Sequence, residues 1–339
     1  MKRALITGIT GQDGSYLSEF LLNKGYEVSG LMRRNSTPNI RNIEHLLGKI
    51  KLYDGDLMDQ GSIDRAVKDF QPDEVYNLAA QSFVKTSWTQ PILTGEVTGL
   101  GTVRVLESIR NVKPEARMYQ ASSSEMFGNN PEEFLNEKSQ LFAHSPYAIA
   151  KLYAHRMTEN YRDSYGLFTC SGILFNHESP RRGIEFITRK ITYSVACIKA
   201  GVENSKMSNE EKEPLVKNGK IKFGNLDSKR DWGFAKDYVE AMWLMLQQDK
   251  PEDYVVGTGV THSVKEFLQF AFEEAGISDW ESHIEIDERF KRPADLTYLR
   301  GDSTKARNQL KWEPKTDLKS LIKIMIESDL ELVKKYEQS

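Results

Sequence analysis

A short apolar strand that breaks on three glycines and restarts as a helix constrains this chain more than any other feature in it. Arg3 to Thr7 reads as a buried strand, and glycines at 8, 11 and 14 make a turn. Ser15 to Lys24 reads as a helix stopped at Gly25, and Tyr26 to Met32 as a second strand. Strand, turn, helix and strand in that order open a parallel βαβ unit. Glycines at the turn let backbone N–H groups approach a pyrophosphate, and the helix N-terminus adds partial positive charge. The spacing is Gly-x-x-Gly-x-x-Gly rather than the commoner Gly-x-Gly-x-x-Gly. The candidate dinucleotide ligands are therefore Gly8, Ile9, Thr10, Gly11, Gln12, Asp13 and Gly14.

Further strands are expected at Leu52–Gly55, Glu74–Leu78 and Arg117–Ala121. The fold class is α/β: a Rossmann-like doubly wound parallel sheet with a smaller C-terminal α/β substrate-binding lobe. Residues 1–175 form the nucleotide domain, to which 224–252 return, and 176–223 with 253–339 form the lobe. Ligands of such sheets bind beyond the C-terminal strand ends. An acidic residue after the second strand would suit the ribose hydroxyls of NAD. This chain instead has Arg33, Arg34 and Ser36, two guanidinium groups and a hydroxyl matched to a 2′-phosphate, so the cofactor reads as NADP. The same basic loop could also meet a neighbouring subunit. Asp56 and Leu57 follow the third strand beside the adenine, and Leu78, Ala79, Ala80, Gln81 and Ser82 leave the fourth in small residues that admit a dinucleotide.

The fifth strand delivers Ser122 to Glu125, and Ser145-Pro-Tyr147-Ala-Ile-Ala-Lys151 follows. Tyr147 and Lys151 are four apart and share one helix face. A free phenol titrates near about 10, so an ammonium, helped by a positive nicotinamide, is needed to make Tyr147 a base near neutral pH.

The remaining composition excludes more than it suggests. There are 46 Lys and Arg against 49 Asp and Glu, a net charge of -3, so no basic excess points to nucleic acid. Cys170 and Cys197 are the only cysteines, too few for a disulfide framework or a metal-binding cysteine cluster. No metal site is expected. The chain enters its first strand directly after Met1-Lys2, and no apolar run is long enough to span a bilayer, so a cytoplasmic enzyme without membrane attachment is expected. In the C-terminal half, Ile184 to Gly201 reads as a helix and 202–218 as a polar insertion forming a mobile surface loop.

With those residues placed, the chain resembles the extended short-chain dehydrogenase/reductases, and among them the GDP-mannose 4,6-dehydratase family. The resemblance rests on Thr7 to Tyr16, Asn77 to Ser82, Ala121 to Glu125, Ser145-Pro-Tyr147 with Lys151, Thr188-Arg-Lys190 and Lys229 to Gly233. Its most specific part is the run Gly172-Ile-Leu-Phe-Asn-His-Glu-Ser-Pro-Arg-Arg-Gly183. It implies that Ser123, Glu125 and Tyr147 are catalytic and that Lys151 binds the nicotinamide ribose. It places His177 and Arg182 on NADP, and Ser82, Ser123, Asn176, Glu178, Lys190, Arg230, Arg292 and Asp295 towards a GDP-sugar. Ser123 stands where the family usually has Thr, Asp295 where it has Glu, and Leu93, beside the cofactor, where it has an aromatic. GDP-mannose is the implied substrate, with GDP-manno-heptose or a simple 4-reduction or epimerisation as alternatives, and a homodimer or homotetramer as the assembly. Elimination of water across C5 and C6 needs an acidic C5 proton, which oxidation at C4 provides. A further acid/base, Glu125, then distinguishes a dehydratase from a reductase that needs only a hydroxyl, Tyr147 and Lys151.

Overall fold

The computed structural model describes residues 1–209, 211–290 and 296–337. The nucleotide-binding half contains β1 (Arg3–Thr7), α1 (Gln12–Asn23), β2 (Glu27–Met32), β3 (Lys51–Asp54), α2 (Gln60–Phe70) and β4 (Glu74–Asn77). It continues through α3 (Val84–Thr89), α4 (Pro91–Thr94), α5 (Gly101–Val112), β5 (Arg117–Ser123), α6 (Pro146–Tyr165) and β6 (Thr169–Leu174). The rest comprises β7 (Asn176–Glu178), α7 (Ile187–Lys199), β8 (Ile221–Phe223), β9 (Lys229–Phe234), α8 (Ala235–Leu246), β10 (Tyr254–Val256), β11 (Thr261–Ser263), α9 (Val264–Ala275), β12 (Ile284–Ile286) and α10 (Leu318–Tyr336).

Seven strands form one parallel sheet in the order β10-β6-β5-β4-β1-β2-β3. The central strands are buried along nearly their whole length, as an all-parallel sheet covered on both faces requires. One face packs against α1 and α8 through Leu17, Leu21, Met242 and Met245, the other against α2 and α5 through Val67, Phe70, Leu106 and Ile109. Strand order reverses between β1 and β4, which opens a crevice at their C-terminal ends. Thr7 ties that point shut below the crevice: its hydroxyl donates to Asn77 Oδ1 at 2.6 Å and accepts from the Leu78 and Ala79 N–H groups.

The smaller lobe holds a three-stranded sheet, β11-β9-β7, and the pair β12-β8. Its own core lies among α7, α9 and α10, built from Tyr193, Phe267, Phe272, Leu321 and Met325. Asp231 in β9 accepts from the N–H groups of Thr258, Gly259 and Gly301, which makes it a clamp for two loops. No helix among the described residues is long and apolar enough to cross a membrane.

Three sequence readings need correction. The helix after the glycine turn begins at Gln12, three residues earlier than expected, because only Gly8 to Gly11 turn, with Gly11 N–H bonded to Gly8 O at 3.0 Å. Gly14 is thus inside the first helical turn, where a Cβ would lie 2.4 Å from Gly8 O and 2.6 Å from Ile9 Cα. β5 runs on to Ser123, since pairing with β6 continues through Ser123 opposite Leu174. Finally, the described part of 202–218 is packed rather than loose: Leu215 and Val216 are buried in the lobe core, and backbone bonds join Ser205 to Val216 and Leu215 to Met207. Two adjacent apolar side chains were enough to anchor a stretch that reads as polar.

Candidate active site

Where β5 ends, three successive residues meet α6. Ser145 caps that helix by accepting from Ala148 N–H, and Pro146 occupies its first turn, so Tyr147 and Lys151 begin the helix on a fixed face. Lys151 Nζ donates to Ala121 O at 2.7 Å, and the Ser123 hydroxyl stands near enough to the Tyr147 phenol to lower it. Glu125, in the short turn after β5, is close enough for its charge to act on the same phenol. Burial, reinforced by Glu125, pushes the phenol up to about 12, while burial pulls the Lys151 ammonium down to about 8. The sequence reading asks for an ammonium together with a positive nicotinamide, and the ammonium by itself leaves the phenol high. The Lys151 ammonium is spent on a backbone carbonyl, 5.9 Å from the ring centre.

These groups line one cleft of about 330 Å³ between the parallel sheet and the lobe. Asp13, Leu78, Ala80 and Ser82 line it from the nucleotide side, and Asn176, His177, Glu178, Arg182, Lys190 and Arg230 from the lobe side. The Asn176 side chain has no hydrogen-bond partner among the described residues. Lys190 donates to Lys222 O at 2.6 Å and lies over the rings of Phe223 and Phe290, and Arg230 donates to Lys229 O. Glu178 is buried, accepts from Thr188 at 2.6 Å and sits 3.2 Å from Arg182. One carboxylate oxygen of this cleft-lining residue thus takes both Thr188 and Arg182.

Asp13 and His177 form a cross-link between the first turn of α1 and β7, 2.9 Å apart, with His177 stacked on Tyr238. Burial opposes both charges, yet the pairing outweighs it: the His177 imidazole is held above its ordinary value and the Asp13 carboxyl below. Gln12 extends the link, donating to His177 O at 3.0 Å and accepting from Ser179 at 2.7 Å.

The remaining candidates are spread around the crevice. Gly8, at a φ of 71°, packs so close to Ala79 that a Cβ would lie 2.8 Å from its nitrogen. No side chain caps α1, so its first-turn N–H groups face outward with Gly11 and Thr10 beside them. Arg33, Arg34 and Ser36 are exposed just past β2, without ion-pair partners among the described residues. The glycine turn and the uncapped start of α1 together fit a nicotinamide dinucleotide. Ile9 and Leu57, expected on the cofactor, turn their side chains into the core, Ile9 against Gly30 and Leu57 against Gly101. Asp56 accepts from Met58 N–H, Gln81 bonds Phe83 O and Thr94, and Leu93 is half-buried in α4, so all three lie outside the cleft itself. Arg292 and Asp295 lie outside the described residues.

Reading the sequence alone missed Lys85, Phe83, Phe186 and Phe290 on the cleft wall. Phe83 and Phe186 meet edge to face at 5.6 Å across it, and Lys85 reaches Glu211 at 3.0 Å. Aromatics interrupting the small-residue run after β4 were the one available signal.

A family model described as GDP-mannose 4,6 dehydratase matches residues 5–325. The chain is similar to GDP-mannose 4,6 dehydratase 1 of Arabidopsis thaliana, 48% identical over 346 residues, covering 98% of this chain and 91% of the relative. Among solved structures it is similar to the UDP-glucose 4-epimerase of Thermus thermophilus in complex with NAD, with a TM-score of 0.82 and 27% identity over 96% of this chain and 98% of that one. It also resembles DesIV, a dTDP-glucose 4,6-dehydratase from Streptomyces venezuelae with NAD and TYD bound, at a TM-score of 0.85, 21% identity and 99% of each chain. A match over nearly the full length, at close to half of all positions in a plant relative, makes this chain a member of the GDP-mannose 4,6-dehydratase family.

Proposed function

We propose that the protein dehydrates GDP-D-mannose to GDP-4-keto-6-deoxy-D-mannose, with NADP as its nicotinamide cofactor. The observation that carries this reading is the carboxylate of Glu125 in the same cleft as the Tyr147 phenol and close enough to raise it. An epimerase or reductase needs the phenol but no second acid/base.

A bound NADP supplies a reversible hydride acceptor and donor, and Gly8 to Gly14, Arg33, Arg34, Ser36 and Lys151 are the residues that would hold it. Tyr147 takes the proton of the C4 hydroxyl as that carbon is oxidised, and Ser123 steadies the same oxygen. The C4 ketone acidifies the C5 proton. Glu125 removes that proton and returns one to the departing C6 hydroxyl, so a single carboxyl serves as base and then acid. When C6 is reduced, a proton goes back to C5. Lys190 and Arg230 supply the cationic donors that a diphosphate requires, and Asn176 an amide for the sugar. Incubating the pure protein with GDP-mannose should give a product lighter by one water in mass spectrometry. An unchanged nucleotide sugar would reject the assignment.

The NADP preference is supported by Arg33 and Arg34 standing where NAD enzymes place an acid. NADP should bind more tightly than NAD, and Arg33→Ala with Arg34→Ala should narrow that gap. A homodimer or homotetramer is supported by the exposed apolar side chains Ile92, Leu100, Ile149 and Tyr153. A monomer in light scattering would contradict it. Two free, buried cysteines suit a reducing, cytoplasmic setting.

A further inference from the structure

The face of α6 that carries Tyr147 and Lys151 does not stop there. His155 and Glu159 continue it at the same four-residue interval, so the four side chains form one stripe along the helix. His155 is almost fully buried, and its Nδ1 lies 3.0 Å from Ser122 Oγ, a contact also buried. On its other side Nε2 lies 3.5 Å from Glu159 Oε1, whose partner oxygen takes Arg156 at 2.7 Å. Burial works against the Glu159 charge, but His155 and Arg156 outweigh it and hold the carboxyl down to about 2. An ionised Glu159 can only accept, which puts a proton on Nε2 and leaves Nδ1 to hydrogen-bond the Ser122 hydroxyl. Two consecutive residues at the end of β5 are thereby gripped from α6, Ala121 by Lys151 and Ser122 by His155, and Ser123 follows beside Tyr147. A second cavity of about 450 Å³ borders His155, Arg156 and Glu159.

We propose that His155, oriented by Glu159, is a positioning residue for the dehydration: through Ser122 it holds the last turn of β5 so that Ser123 and Glu125 keep their places around Tyr147. The inference rests on the reading of those three as the reacting groups. Tyr147 and Lys151 reach the same strand end only from one side each, whereas His155 fixes the residue between them. Loss of this grip lets the hydroxyl at Ser123 drift from the phenol. It leaves the glycine cradle and the lobe cations, which bind the ligands, where they are.

The test compares His155→Phe, which keeps volume but breaks the bond, with His155→Asn, whose amide can occupy the Nδ1 position. On GDP-mannose, His155→Phe should lower kcat by up to about 100-fold with KM little changed, since a misplacement of about 1 Å has that cost. His155→Asn should restore most of the loss. Wild-type kcat in His155→Phe, or no recovery in a folded His155→Asn, would overturn the proposal. Should His155→Phe fail to fold, Ser122→Ala removes the other partner with little volume change, and wild-type kcat in that variant would likewise overturn it. A second readout does not depend on the substrate: the 13Cζ resonance of labelled Tyr147, assigned with Tyr147→Phe, in the protein saturated with NADP. A resonance displaced in His155→Phe or Ser122→Ala and restored in His155→Asn supports the positioning role even if wild-type protein leaves GDP-mannose untouched. An undisplaced resonance defeats it.

Discussion

The two walls of the cleft are built on different physical terms. On the nucleotide side, binding surface comes from backbone: glycines at 8, 11 and 14, small residues after β4, and an uncapped helix start, all within short sequence distance. On the lobe side, it comes from the cations Lys190 and Arg230, each tethered to a main-chain carbonyl, with a buried ion pair between distant residues behind them. Arg189 pairs with Asp329, which also accepts from Thr192, and Lys190 is tethered to Lys222 O. Arg289 is neutralised outside the cleft by Asp287 and Glu213. A backbone cradle tolerates changes of side chain but no added atoms. A cationic wall tolerates added atoms but no lost partner.

That contrast can be broken in five places. The largest effect is expected where chemistry rather than binding resides: Glu125→Gln should lower kcat by about 10²–10⁴-fold with KM nearly kept. Arg230→Met, on the opposite wall, should raise KM with kcat largely retained, and steady-state kinetics on GDP-mannose separates the two. Next, Asp329→Asn strands the buried Arg189 guanidinium and should cost about 3–5 kcal/mol in denaturant unfolding. Arg189 also donates to Arg182 O, so the same change should loosen the loop that presents Arg182 to the cleft.

A smaller loss is expected from Gly14→Ala, whose Cβ meets Gly8 O and Ile9, at about 1–3 kcal/mol of overpacking strain. NADP affinity measured by calorimetry should fall with it, because the strain sits in the cradle. The smallest effect concerns the Asp13–His177 link. Its imidazole is held above the ordinary 6.5, so the stability it adds is complete below that value and fades as pH rises through the folded one. The melting temperature of the wild type minus that of Asp13→Asn, without added nucleotide, should be greatest near pH 6 and shrink towards pH 8.

Legibility in the sequence followed the same divide. The βαβ opening, the parallel sheet and the Tyr147–Lys151 face could be read from short patterns, since glycine turns and four-residue spacings act locally. The lobe was harder. Leu215 and Val216 looked like part of a loose polar insertion because their partners in α7 and α10 are distant in the chain. Glu178 read as a substrate contact, and its sequence neighbourhood gave no sign that one of its oxygens also holds Thr188 and Arg182. Even within the local motif, spacing placed Lys151 beside Tyr147 but could not show that its ammonium is taken by Ala121 O. The side chains of Gln12 and Asp13 carried no sign that they reach across to His177 and Ser179, 165 and 167 residues away from Gln12.

The central claim is that one cleft oxidises C4, eliminates water with Glu125 and reduces C6 with the same hydride. It is tested most directly by supplying GDP-mannose deuterated at C4 and locating the label in the product by NMR. The account predicts a product lighter by one water with deuterium on its C6 methyl group. A product lacking deuterium at C6, or a sugar that keeps both its C6 hydroxyl and its label at C4, would contradict it.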